Sequence, residues 1–250
     1  MKGIFLQILY AFKRDYVFVG ITFITFLVSL FGIFIGSNAV VEANEAKIVY
    51  TAGLSRITII IGFIIFITFS IKRMFDNHEI EFILSHSISR NKILISMFCG
   101  YSIILVSLIF PIMLLLILLQ AKIINILFWT FSVYMEGLLV LSFSLCASLI
   151  LKSFFQALTG SLFLYLIGRT IGNFVAYITL SAEFSFQTIL ANILKVLSIF
   201  IPRLDIFGKT SWLIYSNYSM SSFLLFTVQC VIFCSIFLLI AIIDLKNKEF

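Results

Sequence analysis

Of the chain's 250 residues, 62% are hydrophobic and 11% are charged, against roughly half and about a quarter in an ordinary soluble domain. Too few charged side chains exist to cover a water-facing surface, which excludes a soluble enzyme. The net charge of +6 is not laid out as the basic, aromatic-interleaved stripe of a nucleic-acid binder, so no nucleic-acid partner is expected.

In chain order, residues 1–16 place Ile4, Phe5, Ile8, Leu9, Phe12 and Tyr16 at helical spacing, with Lys2, Lys13, Arg14 and Asp15 elsewhere. That pattern predicts a helix lying in the membrane interface. Apolar spans follow over 17–37, 51–71, 93–119, 123–151, 154–180 and 221–243. Each approaches or exceeds the roughly 20 residues that cross hydrocarbon as a helix. The first run is longer than a signal-peptide core and no small-x-small cleavage site follows it, so it reads as a retained anchor. Pro111 predicts a kink in the third span. Gly168 and Gly172, four apart in the fifth, suit close helix packing or a dimer contact. The 181–220 connection carries an apolar helical stripe from Phe184 to Ile201, and Trp212, Tyr215 and Tyr218 suit the membrane interface beside it. The expected fold is an all-α membrane protein of six spans forming one permease-like domain over 1–250. Cys99, Cys146, Cys230 and Cys234 all fall inside apolar runs and read as small buried hydrophobes, with no metal site among them.

Lysine and arginine counts set the orientation. With both termini inside, the inner segments hold Lys2, Lys13, Arg14, Lys72, Arg73, Arg90, Lys92, Lys152, Lys246 and Lys248. The outer segments hold Lys47, Arg56, Lys122, Lys195, Arg203 and Lys209. A multi-pass protein of a bacterial-type plasma membrane, with both termini cytoplasmic, is expected.

The most charged stretch, within 72–92, joins spans two and three. Ile80, Ile83, Leu84 and Ser87 fall on one helix face, with Glu79, Glu81 and His86 elsewhere. A short amphipathic helix over 74–90, tied tightly to two spans, is a lever for a partner that grips it. Glu81, Leu84, Ser85, Ile88, Ser89 and Arg90 match in order and spacing the loop of the membrane subunits of type-2 ABC exporters, which the chain resembles. Ser87 stands where that family usually has Pro. Residues 201–207, Ile-Pro-Arg-Leu-Asp-Ile-Phe, are similar to a Pro-x-Leu-Asp-x-Phe stretch before the family's last span. The resemblance implies a coupling helix, with Glu79 added to the matching residues, docked on a separate ATPase subunit. It also implies two permease chains, identical or paired, forming an export pathway. The chain has no Gly-x-x-x-x-Gly-Lys-Ser/Thr run to cradle phosphates, so ATP and Mg belong to the partner and no cofactor is expected on this chain.

Glu136 and Arg169 lie inside spans four and five, each about fourteen residues from the turn near Lys152. At similar depth, they are expected to pair, because a lone charge at the bilayer centre costs roughly 2.5–3.5 kcal/mol on insertion scales. The pair reads either as a pathway element or as a static bridge. The competing functions are a polytopic membrane enzyme, lipid-modifying or hydrolytic, and a membrane assembly subunit that moves nothing. The spans lack a His-carboxylate cluster, a His-Glu-x-x-His run and a Gly-x-Ser-x-Gly elbow, so the chain is read as a transport subunit rather than an enzyme.

Overall fold

A computed structural model describes residues 15–77, 89–180, 201–217 and 219–247. The predicted interfacial helix of 1–16 and the stripe beginning at Phe184 therefore fall almost wholly outside the described residues. The described chain is all-helical, and six helices are long and apolar enough to cross a membrane. They are α1 Tyr16–Ser37, α2 Ala43–Asp76, α3 Arg90–Leu118, α4 Ile123–Ile150, α5 Phe154–Leu180 and, after a short helix α6 at Ser211–Tyr215, α7 Met220–Asn247. A 3₁₀ turn at Leu204–Ile206 precedes α6.

Local chemistry starts and stops these helices. Asp15 is the N-cap of α1, its carboxylate accepting from Val17 N at 3.1 Å. Gln120 takes a left-handed conformation just past α3, and Glu42 takes one just before α2. Pro111 lies inside α3 without ending it. The second helix runs well beyond the expected 51–71. Its 34 residues reach about 51 Å at 1.5 Å per residue, longer than the ~30 Å hydrocarbon layer. The added turns, Ala43-Asn-Glu-Ala-Lys at one end and Lys72-Arg-Met-Phe-Asp at the other, are polar enough to leave it.

The long fourth helix is the hub: α2, α3, α5 and α7 all pack on it, and residues such as Trp129, Val133, Leu141 and Leu145 are fully buried. The first helix packs closely along α2. A Cβ on Gly32 would come within 2.8 Å of Thr51 Cα, one on Gly36 would overlap the Lys47 backbone, and the Ser29 and Ser55 hydroxyls bond at 2.8 Å. This is small-residue packing of the kind lipid-embedded helices use. The outward faces are apolar: Phe23, Phe31 and Phe34 on α1, Phe110 on α3 and Val231 and Leu239 on α7 are each close to half exposed or more. Water would not tolerate such a belt and lipid would. The chain is a multi-pass membrane protein, all-helical among its described residues.

Contacts divide the bundle into two ends. One, the terminal end, gathers Asp15, the start of α3, the α4–α5 turn and the last residues of α7. The opposite end gathers the 201–217 segment and the helix ends around it.

Candidate functional site

At the terminal end, charged side chains tie the helices flanking the 78–88 segment to the rest of the bundle. Arg73, near the end of α2, donates to Asp15 at 2.8 Å, and the same carboxylate caps α1. Its neighbour Lys72 donates through Nζ to the carbonyls of Leu151 and Lys152, the latter at 3.3 Å. Across the segment, Arg90, the first residue of α3, donates through Nη1 to Leu245 O and, at 3.0 Å, to Lys246 O. The last carbonyls of a helix have no intrahelical partner and carry the negative end of its dipole, so a cation there is favourable. Arg90 thus caps the C-terminal end of α7, and Lys72 holds the turn just past α4. Of the predicted coupling residues, Glu79, Glu81, Leu84, Ser85 and Ile88 lie outside the described residues. Ser89 is the N-cap position of α3, without a side-chain capping bond.

At the opposite end, residues 201–217 between α5 and α7 fold into the bundle. Leu204, Phe207, Trp212 and Leu213 are buried. The ring of Trp212 lies 5.4 Å from Phe128 and 6.2 Å from Phe226, within an aromatic cluster that includes Phe207 and Phe223. Trp212, expected to suit the membrane interface, is a packed core residue here: the α4–α7 face offers an aromatic socket for its indole. Tyr215 remains exposed, as an interfacial residue would.

Buried non-helical backbone needs internal partners, because its N–H and C=O groups cannot reach water. Gly208 is where they converge. Its carbonyl accepts from Arg56 Nη1 at 2.7 Å and Trp129 Nε1 at 3.2 Å, and its N–H donates to Ser132 Oγ at 2.9 Å. Its φ of +51° is the left-handed region, and a Cβ there would lie 2.7 Å from the Arg56 guanidinium. Both conformation and space therefore require glycine.

The expected pairing of Glu136 with Arg169 is not what forms. Glu136 pairs with Arg56, whose Nε donates to Glu136 Oε2 at 2.6 Å. The Nη2 nitrogen lies 2.6 Å from the same oxygen, off its hydrogen-bonding direction. The two side chains are 3% and 0% exposed. Glu136 Oε1 has no hydrogen-bond donor among the described residues. Arg169 instead donates through Nη1 to Leu204 O at 2.7 Å and Phe207 O at 3.3 Å, holding the 201–207 stretch in place. Depth along the sequence pairs α4 with α5 and places Arg56 among the outer charges. In the folded bundle α2 reaches α4 first, and Arg56 sits well inside α2. Gly168 and Gly172 likewise serve this segment. A Cβ on Gly168 would come within 2.7 Å of Pro202 O, and one on Gly172 would overlap the Asp205 carboxylate. Asp205 itself pairs with Arg203 at 2.8 Å, and that hydrogen bond holds the Arg203 proton more firmly, raising its pKa. Cys230 and Cys234 are buried against α4, their thiols 3.8 Å apart and directed at the Met135 and Leu138 carbonyls.

No family model matches the chain, and no curated protein is significantly similar to it.

Proposed function

We propose that this chain is the membrane subunit of an ATP-driven exporter of the type-2 ABC kind. It dimerises with a like permease chain and is driven by a separate ATPase subunit, which holds ATP and Mg and docks on 74–90. Both termini face the cytoplasm of a bacterial-type plasma membrane.

The observation that carries the reading is the anchoring of the two helices that flank the charged loop. A lever transmits force only if its fulcrum is stiff. Lys72 and Arg73 tie the end of α2 to the α4–α5 turn and to the start of α1, and Arg90 ties the start of α3 to the end of α7. A partner that displaced the loop would therefore move α2 and α3 and, through these bonds, load α1, α4 and α7. A loop that only set topology would need no such clamps. The loop's match to Glu81, Leu84, Ser85, Ile88, Ser89 and Arg90 points the same way.

The test is to tag the C-terminus, extract in mild detergent and identify by mass spectrometry what co-purifies. An ATPase with a phosphate-binding loop should come down, and Leu84→Asp should abolish its capture. Arg90→Gln should leave capture intact but cut the coupling of ATP hydrolysis to transport. Recovery of the chain alone, or capture indifferent to Leu84→Asp, overturns the reading.

A further inference from the structure

We infer that the cavity beside Gly208 is a binding site for a phosphate-bearing anion. The inference stands apart from the transport reading, because it concerns the opposite end of the bundle and needs no ATPase.

The cavity, about 380 Å³, lies between α2, α5 and the start of α6, and is lined by Gly53, Arg56, Arg169, Lys209, Thr210 and Ser211 among others. That volume falls within the roughly 300–1,000 Å³ of small-molecule sites. Three of these residues are cations. Among the described residues, the carboxylate in an ion pair with one of them is Glu136, bound to Arg56, while Asp205 is offset by its own partner Arg203. Arg169 hydrogen-bonds carbonyls and feels Glu136 and Asp205 only through space, and Lys209 is exposed with no ion pair among the described residues. The wall thus carries two positive charges in excess, partly shielded from water, where their attraction for an anion is stronger than in bulk solvent.

The donor set selects the kind of anion. A guanidinium fork and an ammonium, with the Thr210 and Ser211 hydroxyls on the same wall, offer more donors than one carboxylate can use. They suit the several oxygens and the double charge of a phosphate monoester. The floor is open because position 53 is glycine: a Cβ there would meet nothing nearer than Thr210 Cγ2 at 3.7 Å. On the lipid side, Ile57 lines the cavity and is half exposed. The same chemistry could be a lipid headgroup entering from the bilayer or a free phosphate entering from water.

Both tryptophans of the chain report on this place: Trp212 follows Ser211, and Trp129 donates to Gly208 O. The experiment titrates the purified chain in neutral detergent with inorganic phosphate, with dihexanoyl phosphatidic acid, and with dihexanoyl phosphatidylcholine as the zwitterionic control. Tryptophan fluorescence and native mass spectrometry are read together. A saturable one-to-one adduct with a phosphate-bearing anion is expected. Lys209→Gln should weaken it about tenfold, the loss of one charge-assisted contact, and Gly53→Leu, which removes no charge, should block it by filling the floor. Saturation by inorganic phosphate identifies a free anion as ligand, and saturation that needs the dihexanoyl chains identifies a lipid headgroup. Either supports the site. No adduct in either readout overturns it, as does an adduct equally weakened by Lys152→Gln in the distant α4–α5 turn. Because Lys209 is on the surface, Lys209→Gln keeps the test decisive even if Gly53→Leu fails to fold.

Discussion

Replacing Arg56 by Met leaves the Glu136 carboxylate buried at 0% exposure with neither oxygen bonded to a partner among the described residues. It also strips Gly208 O of its shorter hydrogen bond. Breaking a buried pair by removing one partner costs about 3–5 kcal/mol. Glu136→Leu leaves Arg56 with Gly208 O alone and should fall at the lower end of that range. The double variant Arg56→Met/Glu136→Leu removes both charges and their desolvation, which is often close to neutral, and retains a cost of about 1 kcal/mol for the lost bond to Gly208 O. The two positions should therefore be coupled by at least ~2 kcal/mol, whereas a parallel cycle of Glu136 with Arg169, which act on each other through space without a hydrogen bond, should give a clearly smaller coupling. The assay is reversible unfolding in mixed micelles of rising SDS fraction, followed by tryptophan fluorescence. Additivity of Arg56 with Glu136, or stronger coupling of Glu136 to Arg169, refutes the reasoning.

Three further outcomes follow from the packing. Gly36→Leu drives a side chain into the Lys47 backbone and should cost roughly 1–3 kcal/mol; a Ser29→Cys/Ser55→Cys crosslink that forms readily in the parent should form poorly in its presence. Gly208→Ala, forced to φ +51° against Arg56, should cost about 1–3 kcal/mol, measured by the same SDS unfolding. Gly172→Val displaces Asp205 from its place beside α5, so trypsin should cut after Arg203 several-fold faster, in a digest where the parent is slow.

Six spans are legible because lipid imposes one rule, about 20 apolar residues per crossing, and the described residues obey it six times. What failed to come through was what each polar residue meets. Gly32 and Gly36 have the same spacing as Gly168 and Gly172. The first pair seats a helix and the second seats the Pro202–Asp205 stretch, and spacing records a close approach without its partner. Glu136 was found as a buried charge because its position in an apolar run leaves no alternative. Its partner was missed because helix adjacency, unlike depth, is not written in hydropathy. Trp212 could be read as interfacial or as core, and the aromatic socket that decides it is built from Phe128 on α4 and Phe226 on α7, distant in sequence from each other and from Trp212. A signal for the inward fold of 201–217 did exist: Pro202, Gly208 and three charges in eight residues are poor company for a helix at an interface.

The second helix gives these separate observations one mechanical frame. It carries Lys72 and Arg73, which clamp the terminal end, and Arg56, which holds Glu136 and Gly208 at the other. Sixteen residues apart, these groups are about 24 Å distant along the axis. No proline interrupts α2, and the buried residues Ile59, Ile60, Phe63, Ile64, Ile67 and Ile71 pack it along that length. A packed helix of this kind shifts as a body, and cores switch between arrangements more readily than they stretch. Movement of α2 at the terminal end would therefore reach Arg56 as displacement, and through it both Glu136 and Gly208. The carbonyl of Gly208 has a second donor in Trp129 on α4, whereas Glu136 Oε1 has no donor among the described residues. Glu136 therefore keeps hydrogen-bonding capacity that no described residue uses.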